Sequence, residues 1–419
     1  MRMSTWGFIL SLCMVASTPS VARAAGEGGT GVAPAHHALQ RFVQTVVDAS
    51  PRVKAARAAL EARRSDRDAA SRPLYNPQIN ADYERTHETR FRVGIGYTID
   101  WGGKGRARGA LAESERRVAE AAVTLVRRGV AIDLLNGLAA HRTGVERDSL
   151  AARRQALMHD FAELARRRFE TGDVSQVELD LARLASVEAR IERATAAASL
   201  AGAKQAVRVF TPDQPASQWP SLPSSLPDTP DDADVQSLIG ALPEVLAARR
   251  RVDAAGALVE LRRRERRPDP TLSVGGGSEA GERLTIAEFS MPLPLLNRFG
   301  DEVDAAAAEH RAARQALEDV ARRARARLIS ATERYRLART AWEDWRKTGH
   351  ASLERRQEQL RRLWKAGDIG TTDYLVHAGQ TLDLRESALV LRETLWGAWL
   401  EWLSASGQVD AWIGFAADR

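Results

Sequence analysis

Residues 90–101, Arg90-Phe91-Arg92-Val93-Gly94-Ile95-Gly96-Tyr97-Thr98-Ile99-Asp100-Trp101, put every apolar side chain on one parity and every polar residue or glycine on the other. Strict alternation of this kind predicts a β-strand with two unlike faces. Residues 78–87 precede it with the same habit, since Ile79, Ala81 and Tyr83 alternate with Asn80, Asp82 and Glu84. Strands of about 10 residues, apolar outside and polar inside, suit the wall of an outer-membrane barrel. Tyr97 and Trp101, at the far end of the second strand, fit an interfacial aromatic girdle. The same alternation also fits half-buried hairpins of a soluble domain, so the rest of the chain has to decide.

A second strand pair is expected between about 270 and 293. Leu272 and Val274 alternate properly, and then Gly275-Gly276-Gly277 leaves one face bare. Glu288 interrupts the parity between Leu284-Ile286 and Phe289-Met291, which predicts a bulge. Four strands do not close a barrel, and an open edge in lipid leaves backbone groups unpaired. A membrane-spanning version of this chain must therefore pool strands from several copies.

Outside the strands, proline marks where long helices fit. None occurs between Pro77 and Pro212, or after Pro294, and proline breaks helix interiors. Helix is expected from about 39 to 71, from Lys104 to about Glu170, and from just beyond Gly172 to about Val209. Leucines at heptad spacing (Leu150, Leu157, Leu164) precede the Gly172 turn, and Val177, Leu184 and Ile191 follow it. Leu375, Leu382, Leu389, Trp396 and Leu403 repeat the spacing in the second half, predicting helix packed on helix. A 65-residue helix is about 100 Å long, so the molecule must be elongated. The cluster Trp396, Trp399, Trp402 and Trp412 reads as core under a mid-molecule belt.

The architecture is written twice. Ser50-Pro51 answers Leu242-Pro243, Asn76-Pro77 answers Asp269-Pro270, and Phe169-Glu170-Thr171-Gly172-Asp173-Val174 answers Trp364-Lys365-Ala366-Gly367-Asp368-Ile369. The offsets are 192, 193 and 195 residues (Pro51 to Pro243, Pro77 to Pro270, Gly172 to Gly367). The expected organisation is a signal peptide over 1–24, a leader over 25–37, one repeat over 38–210, a Pro-rich linker over 211–235, a second repeat over 236–407 and a tail over 408–419. Each repeat runs helix, two strands, very long helix, turn, long helix. The fold class is mainly α with a small β part.

Arg2, the apolar run from Trp6 to Val15 and the small-x-small site Ala22-Arg23-Ala24 carry the signal-peptide reading. Cys13, the only cysteine, lies inside it, and bulky Leu12 before it argues against lipidation there. A chain cut after Ala24 holds no disulfide or thiolate metal site. The net charge of +6 rests largely on arginine, which is interleaved with glutamate as in Glu113-Ser114-Glu115-Arg116-Arg117. That pattern predicts a solvated, ion-paired helix face and not a nucleic-acid surface. No phosphate-cradling glycine loop, nucleophile elbow or HExxH motif is present, so neither an enzyme nor a cofactor is expected. His36-His37 is the only adjacent histidine pair, and no stoichiometric metal site is expected.

Taken in order, these features resemble the TolC-like outer membrane factors over essentially the whole mature chain. Asp100-Trp101-Gly102-Gly103-Lys104-Gly105-Arg106 and Met291-Pro292-Leu293-Pro294-Leu295-Leu296-Asn297-Arg298 look most like the outer-membrane component of cobalt–zinc–cadmium efflux systems. The resemblance implies a homotrimer with a 12-stranded barrel in outer-membrane lipid and a helical tunnel across the periplasm. It also implies two partners, a periplasmic adaptor and an inner-membrane pump of the resistance–nodulation–division class. Gly172, Asp173 and Val174, with Gly367, Asp368 and Ile369, match the periplasmic tip where adaptors dock, and Phe169 and Trp364 are expected to pack it. Glu178 and Asp373 stand where the family places aperture carboxylates. Val376 departs from a second carboxylate often found there, and Ile369 from a basic gating residue. Rival readings are a drug-efflux or type I secretion duct of the same fold, and a periplasmic adaptor or soluble scaffold, which would carry one helical hairpin instead of two.

Overall fold

The computed structural model describes residues 33–415 except 86, 229–234 and 367. The expected signal peptide with Cys13, most of the leader, the end of the tail and Gly367 lie outside the described residues. In chain order the elements are α1 (His37–Ala49), α2 (Pro51–Ala70), β1 (Gln78–Arg85), β2 (Thr89–Thr98), α3 (Lys104–Glu170) and α4 (Gln176–Arg208). A short 3₁₀ turn lies at Ala216–Gln218. The second half follows with α5 (Val235–Ala241), α6 (Pro243–Glu265), β3 (Thr271–Glu279), β4 (Glu282–Ser290), α7 (Gly300–Asp344), α8 (His350–Ala366), α9 (Thr371–Ser406) and α10 (Val409–Ile413).

Pro51 and Pro243 each occupy the first turn of a helix, where the missing N–H has no intrahelical acceptor to lose. The first of them splits the expected 39–71 helix in two at Ser50. With no proline to break it, α3 continues for 67 residues, about 100 Å at 1.5 Å per residue. Its counterpart is not one α-helix. Five residues, Trp345–Gly349, form a π-helical turn between α7 and α8, a local widening that no proline announces. The Trp345 indole lies on Gly349, so close that a Cβ there would meet its ring at 2.3 Å.

The main core lies where α1, α3, α7, α9 and α10 converge. Trp396, Trp399, Trp402 and Trp412 are all buried in it, as their spacing implied. Trp399 stacks on Trp402 at 5.2 Å and meets Trp412 edge-on at 5.9 Å. Tyr335 packs against Trp399 at 5.0 Å and donates its hydroxyl to the Pro227 carbonyl at 2.6 Å, so the linker is tied to the core. Interleaved charge pairs the helices along their length. Arg147 reaches Glu386 at 2.6 Å, and Arg154 bridges Glu192 and Asp383 at 3.1 and 2.6 Å. Hydrogen bonds from Arg116, and then Arg117, hold the Glu113 carboxyl down to about 2.

The α3–α4 hairpin differs from the heptad expectation. Leu150 is buried, but Val177, Leu184 and Ile191 are exposed on α4. The buried face of α4 is Leu179, Ala182, Ala189 and Ala196. Small alanines let α4 approach α3 closely, which leaves the larger stripe facing away from its own chain. In α9 Leu375, Leu382, Trp396 and Leu403 are buried as expected, and Leu389 is half-buried.

A linker contact carries a pH prediction. The Trp219 ring meets His141 edge-on at 4.8 Å, and burial, then Lys204, lowers the His141 pKa from 6.5. Above about pH 6.5 the imidazole is neutral whether folded or not. Below that, the unfolded chain binds the proton first, so stability falls with pH until the depressed folded value is passed. His141→Gln should flatten the acid side of the thermal stability profile below about pH 6.5. A profile unchanged by the substitution would contradict this.

Candidate functional site

The four strands form one antiparallel sheet in the order β1-β2-β3-β4, so hairpins from both repeats join at its centre. Pairing is in register throughout, from Gln78 opposite Gly96, through Thr98 opposite Thr271, to Glu279 opposite Glu282. The expected bulge at Glu288 is absent, because Glu288 pairs regularly with Ser273. Leu284 and Ile286 simply lie on the opposite face from Phe289, beside Gly277 and Gly275.

The register assigns the faces. Ile79, Ala81 and Tyr83 share one with Phe91, Val93, Ile95 and Tyr97, and with Leu272, Val274 and Phe289. This apolar face is the exposed one, with Ile79 at 79% and Val274 at 60%. The polar face is the more sheltered, and along β2 Arg90, Arg92, Gly94, Gly96 and Thr98 are each less exposed than their apolar neighbours. A soluble sheet has the opposite arrangement. Glycine makes the sheltered face possible. A Cβ on Gly275 would sit 2.4 Å from the Val93 carbonyl oxygen, and one on Gly277 would sit 2.0 Å from that of Phe91. Both outer edges, β1 and β4, lack a strand partner among the described residues.

Where the sheet meets the helices, the Asp100 carboxylate caps α3 by accepting from the Lys104 and Gly105 amides, both at 2.7 Å. Asp269 is buried beside it. Its Oδ2 accepts from the Tyr75 hydroxyl at 2.7 Å and pairs with Lys104 Nζ at 3.0 Å. Burial, then the Asp269 hydrogen bond, pushes the Tyr75 phenol up to about 12. This node ties the second repeat to the first, and sequence reasoning missed it. A signal existed, because Asp269 stands where the first repeat has uncharged Asn76. Tyr97 and Trp101 are exposed on the apolar side at this end of the sheet, Trp101 at 67%.

At the other end of α3, Gly172 turns the chain with φ +81°, a left-handed conformation that glycine adopts without strain. Its amide donates to Phe169 O at 3.0 Å and that of Asp173 to Arg168 O at 2.8 Å. Ser175 then caps α4 in a reciprocal box with Glu178. The Glu178 carboxylate accepts from the Ser175 amide at 2.7 Å, which lowers its pKa. In the second tip Gly370 occupies the cap position and offers no side chain. Asp373, one turn in, has no ion pair or side-chain hydrogen bond among the described residues. Trp364 stacks on Tyr374 at 4.7 Å, and Trp364 and Phe169 are equally exposed, at 38%. The helices that follow the two tips are thus capped differently. Among the described residues no group of three His, Cys, Asp or Glu could hold a metal ion, and no helix is long and apolar enough to cross a membrane.

No family model matches the chain. Over 235 residues it is 30% identical to the cobalt-zinc-cadmium resistance protein CzcC of Cupriavidus metallidurans. That match covers 54% of this chain and 56% of the relative, so the chain aligns with little more than half of CzcC. The likeness to solved structures is longer. The Campylobacter jejuni CmeC outer membrane channel superposes with a TM-score of 0.72 over 89% of this chain and 86% of its own, at 14% identity. The outer-membrane channel OprN gives 0.73 over 88% and 90%, at 15% identity. With its duplicated long hairpins and single four-stranded sheet, the chain has the protomer fold of the TolC-like outer membrane channels.

Proposed function

We propose that the chain is the outer-membrane exit duct of a tripartite efflux pump, passive in itself and exporting heavy-metal cations. One observation carries the reading: the sheet exposes its apolar face and shelters its polar one. In water that face would be a cost of hydration, and in hydrocarbon it is the natural surface. Strands of 8 to 10 residues match the length a tilted strand needs to cross a bilayer.

Assembly follows from the edges. Each outer strand turns about eight backbone polar groups away from the sheet, and each group left unpaired in hydrocarbon costs several kcal/mol. Pairing β4 of one copy with β1 of the next satisfies them and preserves the antiparallel alternation. Two copies would give eight strands, whose interior side chains fill, whereas three give twelve and leave a lumen. The exposed stripe Val177, Leu184 and Ile191 supports the same assembly, as it awaits a helix from a neighbouring copy. The tips around Gly172 and Gly367, with Asp173, Val174, Asp368 and Ile369, form the periplasmic end that meets the adaptor, and Glu178 and Asp373 form the aperture carboxylates. Of these, Asp373 is the freer, since Glu178 is engaged in its capping box. Tyr97 and Trp101 form the girdle. The likeness to CzcC supports the metal cargo.

The cargo is tested by deleting the gene and scoring cobalt, zinc and cadmium tolerance beside drug tolerance. Loss of metal tolerance alone supports the assignment, and loss of drug tolerance alone overturns it. At the aperture, Asp373→Ala should raise single-channel conductance in planar bilayers, because it removes a carboxylate available to hold the tip closed. Unchanged conductance would refute that role.

A further inference from the structure

The four segments joining strands to helices lie together at one end of the sheet: residues 71–77, 99–103, 266–270 and 291–299. Apolar exposure does not stop with the strands here. Trp101, Leu293, Leu295 and Leu296 are all more than half exposed, and Leu296 is fully so. The loop after β4 is shaped to present these leucines. Pro292 and Pro294 restrict its backbone, Leu295 N bonds Leu293 O at 2.8 Å, and Phe299 N bonds the Asn297 side chain at 2.8 Å.

The same segments carry exposed positive charge. Arg72, Arg266, Arg267 and Arg298 lie in them and Arg106 in the adjoining first turn of α3, all exposed. None of the five forms an ion pair among the described residues, so all are available to an anionic ligand. The acidic residues here are largely engaged, Asp100 with backbone amides and Asp269 with Lys104 and Tyr75. Asp301 and Glu302, in the first turn of α7, still leave the positive charge in excess. Arg266 donates to the Arg298 carbonyl at 3.1 Å, which ties the junctions of β3 and β4 together.

We propose that this end of the sheet is a binding belt for anionic phospholipid. Leu293, Leu295 and Leu296 enter the acyl region of the leaflet nearest the helices, and Arg266, Arg267 and Arg298 engage lipid phosphate. Two features argue for lipid and not for another protein. The exposed leucines follow Phe289 of the exposed apolar face within a few residues, and the exposed guanidinium groups of the adjoining segments at the same end of the sheet suit the phosphates that lie next to acyl chains in a leaflet. Guanidinium binds phosphate through paired N–H donors and is readily desolvated. The inference rests on the barrel reading above and adds to it a preferred lipid class.

The test uses the full mature chain as its detergent-extracted assembly, reconstituted into nanodiscs of equal phosphatidylglycerol and phosphatidylcholine. Native mass spectrometry then counts the lipids retained on release. The wild type should keep phosphatidylglycerol over phosphatidylcholine. The triple variant Arg266→Gln, Arg267→Gln, Arg298→Gln should lose that preference, by about fivefold per arginine, while still inserting as the same assembly. The corresponding Lys variants should keep most of it. Equal retention of both lipids by the wild type, or a preference that survives the Gln changes, would overturn the lipid belt and leave the duct intact. A chain that never enters the bilayer would overturn both.

Discussion

Gly277→Val abolishes assembly of the sheet. The Cβ alone would stand 2.0 Å from the Phe91 carbonyl oxygen and 3.0 Å from the Arg92 Cα, and both are backbone atoms that no rotamer change moves aside. β2 and β3 must then separate, and among the described residues their pairing is the only sheet contact between the two repeats. A neighbouring position supplies the control. Gly276 lies on the apolar face, where a Cβ meets nothing closer than 3.5 Å, so Gly276→Val adds a β-branched residue to a face already rich in them and should be tolerated. Trimer recovered from the outer-membrane fraction, read as a heat-modifiable band on electrophoresis, should vanish for Gly277→Val and persist for Gly276→Val. Equal yields from the two variants would mean that the sheltered face is looser than described.

Trp399→Ala should be the most damaging substitution in the helical body. The side chain is fully buried and contacts Trp402 in the next turn of α9, Trp412 in α10 and Tyr335 in α7. Truncating a buried tryptophan costs about 3–5 kcal/mol through lost transfer free energy and the cavity left behind. Since Tyr335 also holds the linker through Pro227, the loss should spread to residues 219–228. Thermal unfolding in detergent should show a large downward shift, with earlier proteolysis in the linker. Trp399→Phe refills most of the cavity and should recover much of the stability. A Trp399→Ala protein as stable as the wild type would place the core elsewhere.

Much of this molecule could be read from residues alone, for reasons that also mark the limits. Lys104 and Glu170 bound α3 because no proline lies between them and a glycine turn follows. The faces of β2 were legible because alternation fixes parity along a strand. Parity across strands is another matter. Whether Leu284 and Phe289 share a face depends on pairing with β3, and a local break in pattern looks like a bulge until the register is known. The α4 helix illustrates a different limit. It carries two stripes at heptad spacing, the alanines from Ala182 and the large residues from Val177. Periodicity cannot tell which stripe meets the chain's own helix and which waits for another. The Asp269–Lys104–Tyr75 node escaped for a third reason, as it arises from contacts between residues far apart in the chain, and no proline or glycine pattern announces the π turn at Trp345. At the first tip, sequence located the Gly172 turn. It did not reveal that Ser175 engages Glu178 while Gly370 leaves Asp373 without such a partner.

Completion of the open sheet edges by neighbouring copies is tested most directly by the mass of the membrane-extracted particle. Light scattering of the mature protein purified in detergent, corrected for bound detergent, should give three chains per particle and no folded single chain. A folded monomer that remains in aqueous buffer without detergent would contradict it.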